Sequence, residues 1–136
     1  MARSRKSVKF LSEVEIIAIN EEAVAKFGGL HGVKDLYMVR LAIGRPQMSV
    51  GFQDAYKTIF DKAAALMHSI INNHPFLDGN KRTSFFGAIL FLEYNRWSVE
   101  FKRKEGVKFA RKVHDLDYSV EQISKWFKEH SIKAKK

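Results

Sequence analysis

HPFLDGNKR, residues 74–82, lies between an amphipathic pattern and a run that is apolar nearly all round. A hinge between two helices needs the glycine and at most the proline. It does not need a histidine, a carboxylate and two adjacent cations as well. Upstream, Tyr56, Ile59, Phe60, Ala63, Ala64, Met67, Ile70 and Ile71 recur at helical spacing, which predicts a helix with one buried face. That helix must end near His74, because Pro75 disfavours helical geometry in the residue before it. Downstream, TSFFGAILFLEY is apolar on most sides, as a helix at the centre of a bundle would be. The stretch therefore joins a packed helix to the predicted central one.

The rest of the chain is predicted to be helical around that pair. Ser12 with Glu15 forms a capping-box pattern, followed by Val14, Ile17, Ala18, Val24 and Phe27 on roughly one face and a stop at Gly28-Gly29. Asp35 caps a shorter helix with Leu36, Val39 and Ile43 inward, ending at Arg45-Pro46. Residues 47–53 read as a loop and Ser98–Phe101 as a short strand. Ser119 with Gln122 opens a last helix whose Val120, Ile123, Trp126 and Phe127 face inward. The expectation is one all-α domain over residues 10–136 behind a basic arm at residues 1–9.

Composition narrows the function classes. A chain of 136 residues with 46% hydrophobic content suits one core. Without cysteine there is no disulfide framework and no thiolate metal site. No apolar run reaches the length of a bilayer span, and no apolar stretch follows the basic start as in a secretion signal, so a cytoplasmic protein is expected. The net charge of +9 sits at the ends. Residues 1–9, 101–112 and 125–136 hold 15 of the 24 lysines and arginines, while residues 10–100 are close to neutral. Nothing resembles a helix-turn-helix, and the cations are not interleaved with aromatics, which argues against nucleic acid as the partner.

The chemistry of the stretch follows from its position. Gly79 and Asn80 fall at the start of the central helix, where unpaired N–H groups and the helix dipole favour an anion. Lys81 and Arg82 occupy the first turn, the wrong end for cations unless a polyanion binds there. A phosphate chain is the simplest such ligand, met by lysine as a point charge and arginine as a fork. Asp78 would repel phosphate, but a magnesium ion shared between the carboxylate and phosphate oxygens resolves the conflict. His74, with an ordinary pKa near neutrality, suits a general base for a hydroxyl nucleophile. Phe76 reads as an anchor to the core. Each residue also has a plainer role: His74 as a cap or core group, Asp78-Gly79 as a turn, Asn80 as a cap, Lys81-Arg82 as a solvated face. Those roles leave the cations at the positive end of a helix unexplained, so the residues point to a phosphate site and leave the reaction open.

HPFLDGNKR closely resembles the signature loop of the Fic/Doc superfamily, His-Pro-Phe-x-Asp/Glu-Gly-Asn-Gly/Lys-Arg. The likeness extends over about residues 10–100. FLSEVEIIAINEEAVAKFGGLHGVKDLYMVRLAIGRPQ resembles the start of its Doc (death-on-curing) branch, and AAALMHSIINNHPFLDGNKRTSFFGAILFLEYNRW the centre. The resemblance implies an all-α, compact six-helix bundle around a buried central helix, with a nucleotide at the loop. It implies His74 as general base, Asp78 as magnesium ligand, Gly79 and Asn80 as the anion nest, Lys81 and Arg82 as phosphate ligands and Phe76 as loop anchor.

Departures from the Fic pattern bear on the reaction. AMP-transferring Fic enzymes usually have glycine where this chain has Lys81, and a second arginine where it has Phe85. In Doc proteins the lysine accompanies a reversed ATP that presents its γ-phosphate. The resemblance thus implies a toxin that phosphorylates a Ser or Thr of a translation factor, elongation factor Tu, and halts translation. It also implies silencing by a separate antitoxin whose tail folds on the toxin, since the Ser/Thr-x-x-x-Glu-Gly/Asn inhibitory pattern is missing. Two alternatives stand beside this one: AMP transfer to a protein hydroxyl, and a non-catalytic helical module binding nucleic acid or another partner.

Overall fold

Side-chain caps decide where the helices begin. The computed structural model describes residues 8–135. Its helices are α1 (Glu13–Phe27), α2 (Leu36–Gly44), α3 (Ile59–Asn73), α4 (Asn80–Tyr94), α5 (Arg103–Asp115) and α6 (Val120–Glu129). Reciprocal capping boxes open α1 at Ser12 and Glu15, α3 at Thr58 and Asp61, and α6 at Ser119 and Gln122. Asp35 accepts from the Met38 N–H at 3.3 Å to start α2.

Helix α4 is the centre, packed against α1, α3 and α5, while α3 in turn meets α2 and α6. Phe85, Ala88, Ile89, Phe91 and Leu92 of α4 and Ala63, Leu66, Met67, Ile70 and Ile71 of α3 are buried together. Each large apolar side chain so buried contributes roughly 1.5–3 kcal/mol. The 74–79 loop therefore connects the two most firmly held elements of the molecule. Among the described residues no helix is long and apolar enough to cross a membrane.

The mostly-α architecture agrees with expectation, and the local differences have physical causes. Residues 47–53 are more than a loop. A 3-10 turn (Arg45–Gln47) leads into a two-residue hairpin of β1 (Ser49–Val50) and β2 (Gln53–Asp54). Buried Lys62 holds its base by donating to the Asp54 carboxylate at 3.1 Å and to the Tyr56 carbonyl. Tyr56 itself precedes α3, because Thr58 is the cap. The strand expected over 98–101 lies at β3 (Trp97–Val99), paired antiparallel with β4 (Ser131–Lys133).

The buried face of α1 also differs from the spacing. It comprises Ile16, Asn20, Ala23 and Val24, whereas Val14 and Ala18 are exposed. An asparagine holds a core position there, so an apolar count selects the wrong stripe. Helix α5 was not evident behind its cations. Its inward residues are Gly106, Phe109, Ala110 and Val113, and Gly106 lets the Phe85 ring approach, since a Cβ there would lie 2.7 Å from Phe85 Cε2. Of the basic arm expected over residues 1–9, residues 1–7 lie outside the described residues. Lys9 exchanges two main-chain hydrogen bonds with the Asn95 side chain, each 2.9 Å.

Candidate functional site

His74 ends α3 in the left-handed conformation, φ 47° and ψ 61°, a region histidine enters more readily than most residues. The loop beyond it is pinned from two directions. On one side, the Pro75 carbonyl accepts from Lys34 and Asp35 N–H, the Leu77 N–H donates to the Gly32 carbonyl at 3.0 Å, and Phe76 bridges to Val33. On the other, the Asn80 side chain closes the loop on itself. Its Oδ1 accepts from the Phe76 N–H at 3.0 Å and its Nδ2 donates to the Phe76 carbonyl at 2.9 Å. The Phe76 ring is buried in the core. Asn80 thus spends its side chain on loop shape.

Gly79 precedes α4 at φ 77°, and a Cβ there would lie 3.2 Å from both Asn20 Nδ2 and Val24 Cγ2. Conformation and space both call for glycine. The Thr83 N–H donates to the Gly79 carbonyl at 2.9 Å as the first helical bond. The N–H groups of Asn80, Lys81 and Arg82 precede it and have no helical acceptor. No side chain caps this helix and its first turn holds no carboxylate, unlike the boxed starts of α1, α3 and α6. The positive end of the central helix is left open to an anion.

The carboxylate expected in the loop is held to one side. Asp78 Oδ2 accepts from the Leu30 N–H at 2.7 Å, across the Gly28–Gly29 turn. Gly29, at φ 115°, makes this approach feasible, because a Cβ there would sit 2.8 Å from Asp78 Cβ. Asn20 completes the support. Its Nδ2 donates to the Asp78 carbonyl at 2.8 Å and to Thr83 Oγ1 at 3.1 Å. Asn20 is buried and was not singled out by the sequence; a lone asparagine between Ile16 and Val24 on one helical face was the available signal. Among the described residues no three carboxylates, histidines or cysteines gather as a protein-only metal cage. One carboxylate with one oxygen engaged fits magnesium only where phosphate oxygens and water complete the shell. The donor set fits the ion on that condition.

Lys81 and Arg82 line a groove of about 760 Å³ between α1, α4 and α5. The Arg82 guanidinium stacks on the Phe27 ring with Cζ 4.0 Å from the centroid. Its Nε is buried with no hydrogen-bond partner among the described residues. Aromatic side chains, Phe86 and Phe101 among them, form the apolar wall, and Lys26, Arg103 and Arg111 add further cations. Phe85 is 2% exposed and meets Phe101, Trp126 and Phe127 at ring separations of 5.1, 5.8 and 6.0 Å. The position where the Fic pattern has its second arginine is part of the core.

His74 is half-buried and titrates below its ordinary value. Burial is the main cause, followed by the charges of His114, Lys34 and Lys81. The neutral imidazole is therefore favoured near pH 7, as a proton acceptor requires. Its ring meets that of His114 edge-on, centroids 5.7 Å apart. His114 comes from the end of α5 and no sequence pattern drew attention to it. The predicted residues His74, Phe76, Asp78, Gly79, Asn80, Lys81 and Arg82 thus share one loop and helix start. Phe76 faces the core and the Asp78 carboxylate faces the glycine turn.

Similarity to known proteins follows the same segment. The Fic/DOC family model matches residues 10–92, from before α1 to near the end of α4. "Toxin Doc" of Mycolicibacterium smegmatis is 46% identical over 100 residues, 72% of this chain and 77% of that protein. "Protein kinase doc" of Escherichia phage P1 is 32% identical over 88 residues, 65% of this chain and 69% of that protein. The matched region contains the whole 74–82 loop, its Asn20 brace and all but the last two residues of the central helix, and on that basis the chain belongs to the Fic/DOC family.

Proposed function

We propose that this chain is a Doc-type toxin of a toxin–antitoxin module that moves the γ-phosphate of ATP to a Ser or Thr hydroxyl of a translation factor, elongation factor Tu. The observation that carries this reading is the uncapped start of α4, with Lys81 and Arg82 in its first turn and His74 held neutral just before it. Relatives named as a Doc toxin and as a Doc protein kinase support it.

In this reading the N–H groups of Asn80, Lys81 and Arg82 receive the phosphates, and the two side chains neutralise them. His74 accepts the proton of the target hydroxyl. The hydroxyl oxygen forms a bond to the γ-phosphorus, the bond from that phosphorus to the bridging oxygen breaks, and ADP leaves. Magnesium, held by Asp78 together with phosphate oxygens, would offset the charge that develops on the phosphates. Phe85 supports γ- over α-transfer, because a core phenylalanine supplies no second guanidinium. AMP transfer is the second reading, favoured by Asp78-Gly79-Asn80, the Fic form of the loop; there the α-phosphorus is attacked and pyrophosphate leaves.

An antitoxin tail is the partner in this reading. The groove beside Lys81 and Arg82 has aromatic walls and a cationic rim, which suits an amphipathic segment carrying acidic residues. Its occupation would compete with nucleotide. The test is cell-free translation with purified protein, followed by the mass of the recovered elongation factor. Arrest with the gain of one phosphate, absent for His74→Ala, is expected. Arrest with a gain of AMP, or arrest that His74→Ala preserves, would overturn the kinase reading.

A further inference from the structure

His74 is fixed at its main chain but not at its ring. Among the described residues its imidazole makes no hydrogen bond, and its ring contact is His114. A base that must take a proton from a hydroxyl within hydrogen-bonding reach needs an oriented ring. Many catalytic histidines are oriented by a carboxylate hydrogen-bonded directly to them. Here the carboxylate stands one residue further back: in its Nδ1–H tautomer, His114 donates to Asp115 Oδ1 at 2.9 Å, a contact between two exposed side chains that favours this tautomer and ring orientation.

We propose that His114, oriented by Asp115, is a positioning residue for His74: from the end of α5 it braces the imidazole edge-on in the orientation a proton acceptor needs. The inference rests on the reading of His74 as the base. The titratable and charged groups acting on His74 are His114 from α5, Lys34 from the segment before α2 and Lys81 from the first turn of α4. No carboxylate is among them. Any positive charge on His114 opposes a second one on His74, so the brace also favours the neutral acceptor. It further gives α5, a helix outside the matched 10–92 region, a part in the site.

The test combines imidazole NMR titration of the intact protein with steady-state transfer. His114→Gln removes the opposing charge while staying polar, and the His74 titration is expected to move to higher pH. The acidic limb of the transfer rate moves with it. His114→Ala removes the brace and lowers kcat about tenfold with the KM for ATP unchanged, a loss from orientation rather than binding. His114→Phe restores a ring edge and recovers most of kcat. Asp115→Ala reproduces part of the loss, and Asp115→Asn, whose amide oxygen still accepts from Nδ1–H, reverses it. An unmoved His74 titration in His114→Gln, or an unmoved kcat in His114→Ala, would overturn the proposal. The titration is read without turnover, so failure of the kinase reading, seen as transfer surviving His74→Ala, is distinguishable from failure of the brace.

Discussion

Asn20 Nδ2 donates to the main-chain oxygen of Asp78 at 2.8 Å, joining residues 58 positions apart. The same group reaches Thr83 Oγ1, so one buried amide in α1 holds the end of the loop and the first turn of α4 together. Asn20→Ala leaves two acceptors without their donor, a cost of about 1–3 kcal/mol. A lower urea midpoint with weakened nucleotide binding is expected. Asn20→Asp is predicted to be worse, because a carboxylate cannot donate and would face the Asp78 carbonyl. Wild-type urea midpoints for both variants would show that the bond is incidental.

Lys81 and Arg82 are predicted to act on affinity. Loss of a charge-assisted hydrogen bond costs roughly 1.5–3 kcal/mol, which is about ten- to a hundredfold in Kd. Lys81→Ala and Arg82→Ala should each weaken ATP binding by that factor in calorimetry. Arg82→Lys should fall between, keeping charge but losing the fork. Unchanged ATP affinity in both alanine variants would place the phosphates elsewhere.

Phe85→Arg tests whether residue 85 could serve as the second phosphate ligand. The ring is enclosed by Phe101, Trp126 and Phe127, and a guanidinium there would be buried without a counter-ion. A loss of about 3 kcal/mol or more is expected, seen as insoluble protein or a lost thermal transition. A folded Phe85→Arg variant that transfers AMP would contradict this placement.

Stability and rate are predicted to fall together in mild acid. His74 titrates below its ordinary value of 6.5, chiefly through burial. His68 does so through burial and the Arg45 charge, offset in part by Asp117; its Nδ1 lies 2.8 Å from Arg45 Nη1. Both histidines take up protons more readily in the unfolded chain. Their contribution to stability is therefore full above pH 6.5 and lost as pH falls through the lower folded values. Urea midpoints should be level above pH 7 and decline below about 6.5, less so in His68→Gln. Transfer should lose its neutral base over the same range.

The sequence made the loop and its two helices legible because their signals are local. Pro75 stops α3, Gly79 opens α4, and unbroken apolar character marks the central helix. What escaped was set by contacts distant along the chain. Asn20 is polar at a core position because Asp78 and Thr83 satisfy it, and His114 meets His74 only once α5 folds back on the α3–α4 pair. Helix α5 itself was masked by five lysines and arginines around an inward face that includes Gly106. The side of the loop that Asp78 faces depends on Gly29 and Leu30, to which no spacing rule connects it.

The most direct test of phosphoryl transfer by this loop uses purified protein, magnesium and elongation factor Tu, with ATP labelled in parallel on the α- or the γ-phosphate. Label should reach the factor from the γ-position only and vanish with His74→Ala. Label arriving from the α-position would contradict the account, and would mean that the nucleotide lies with its α-phosphate at His74 despite Lys81.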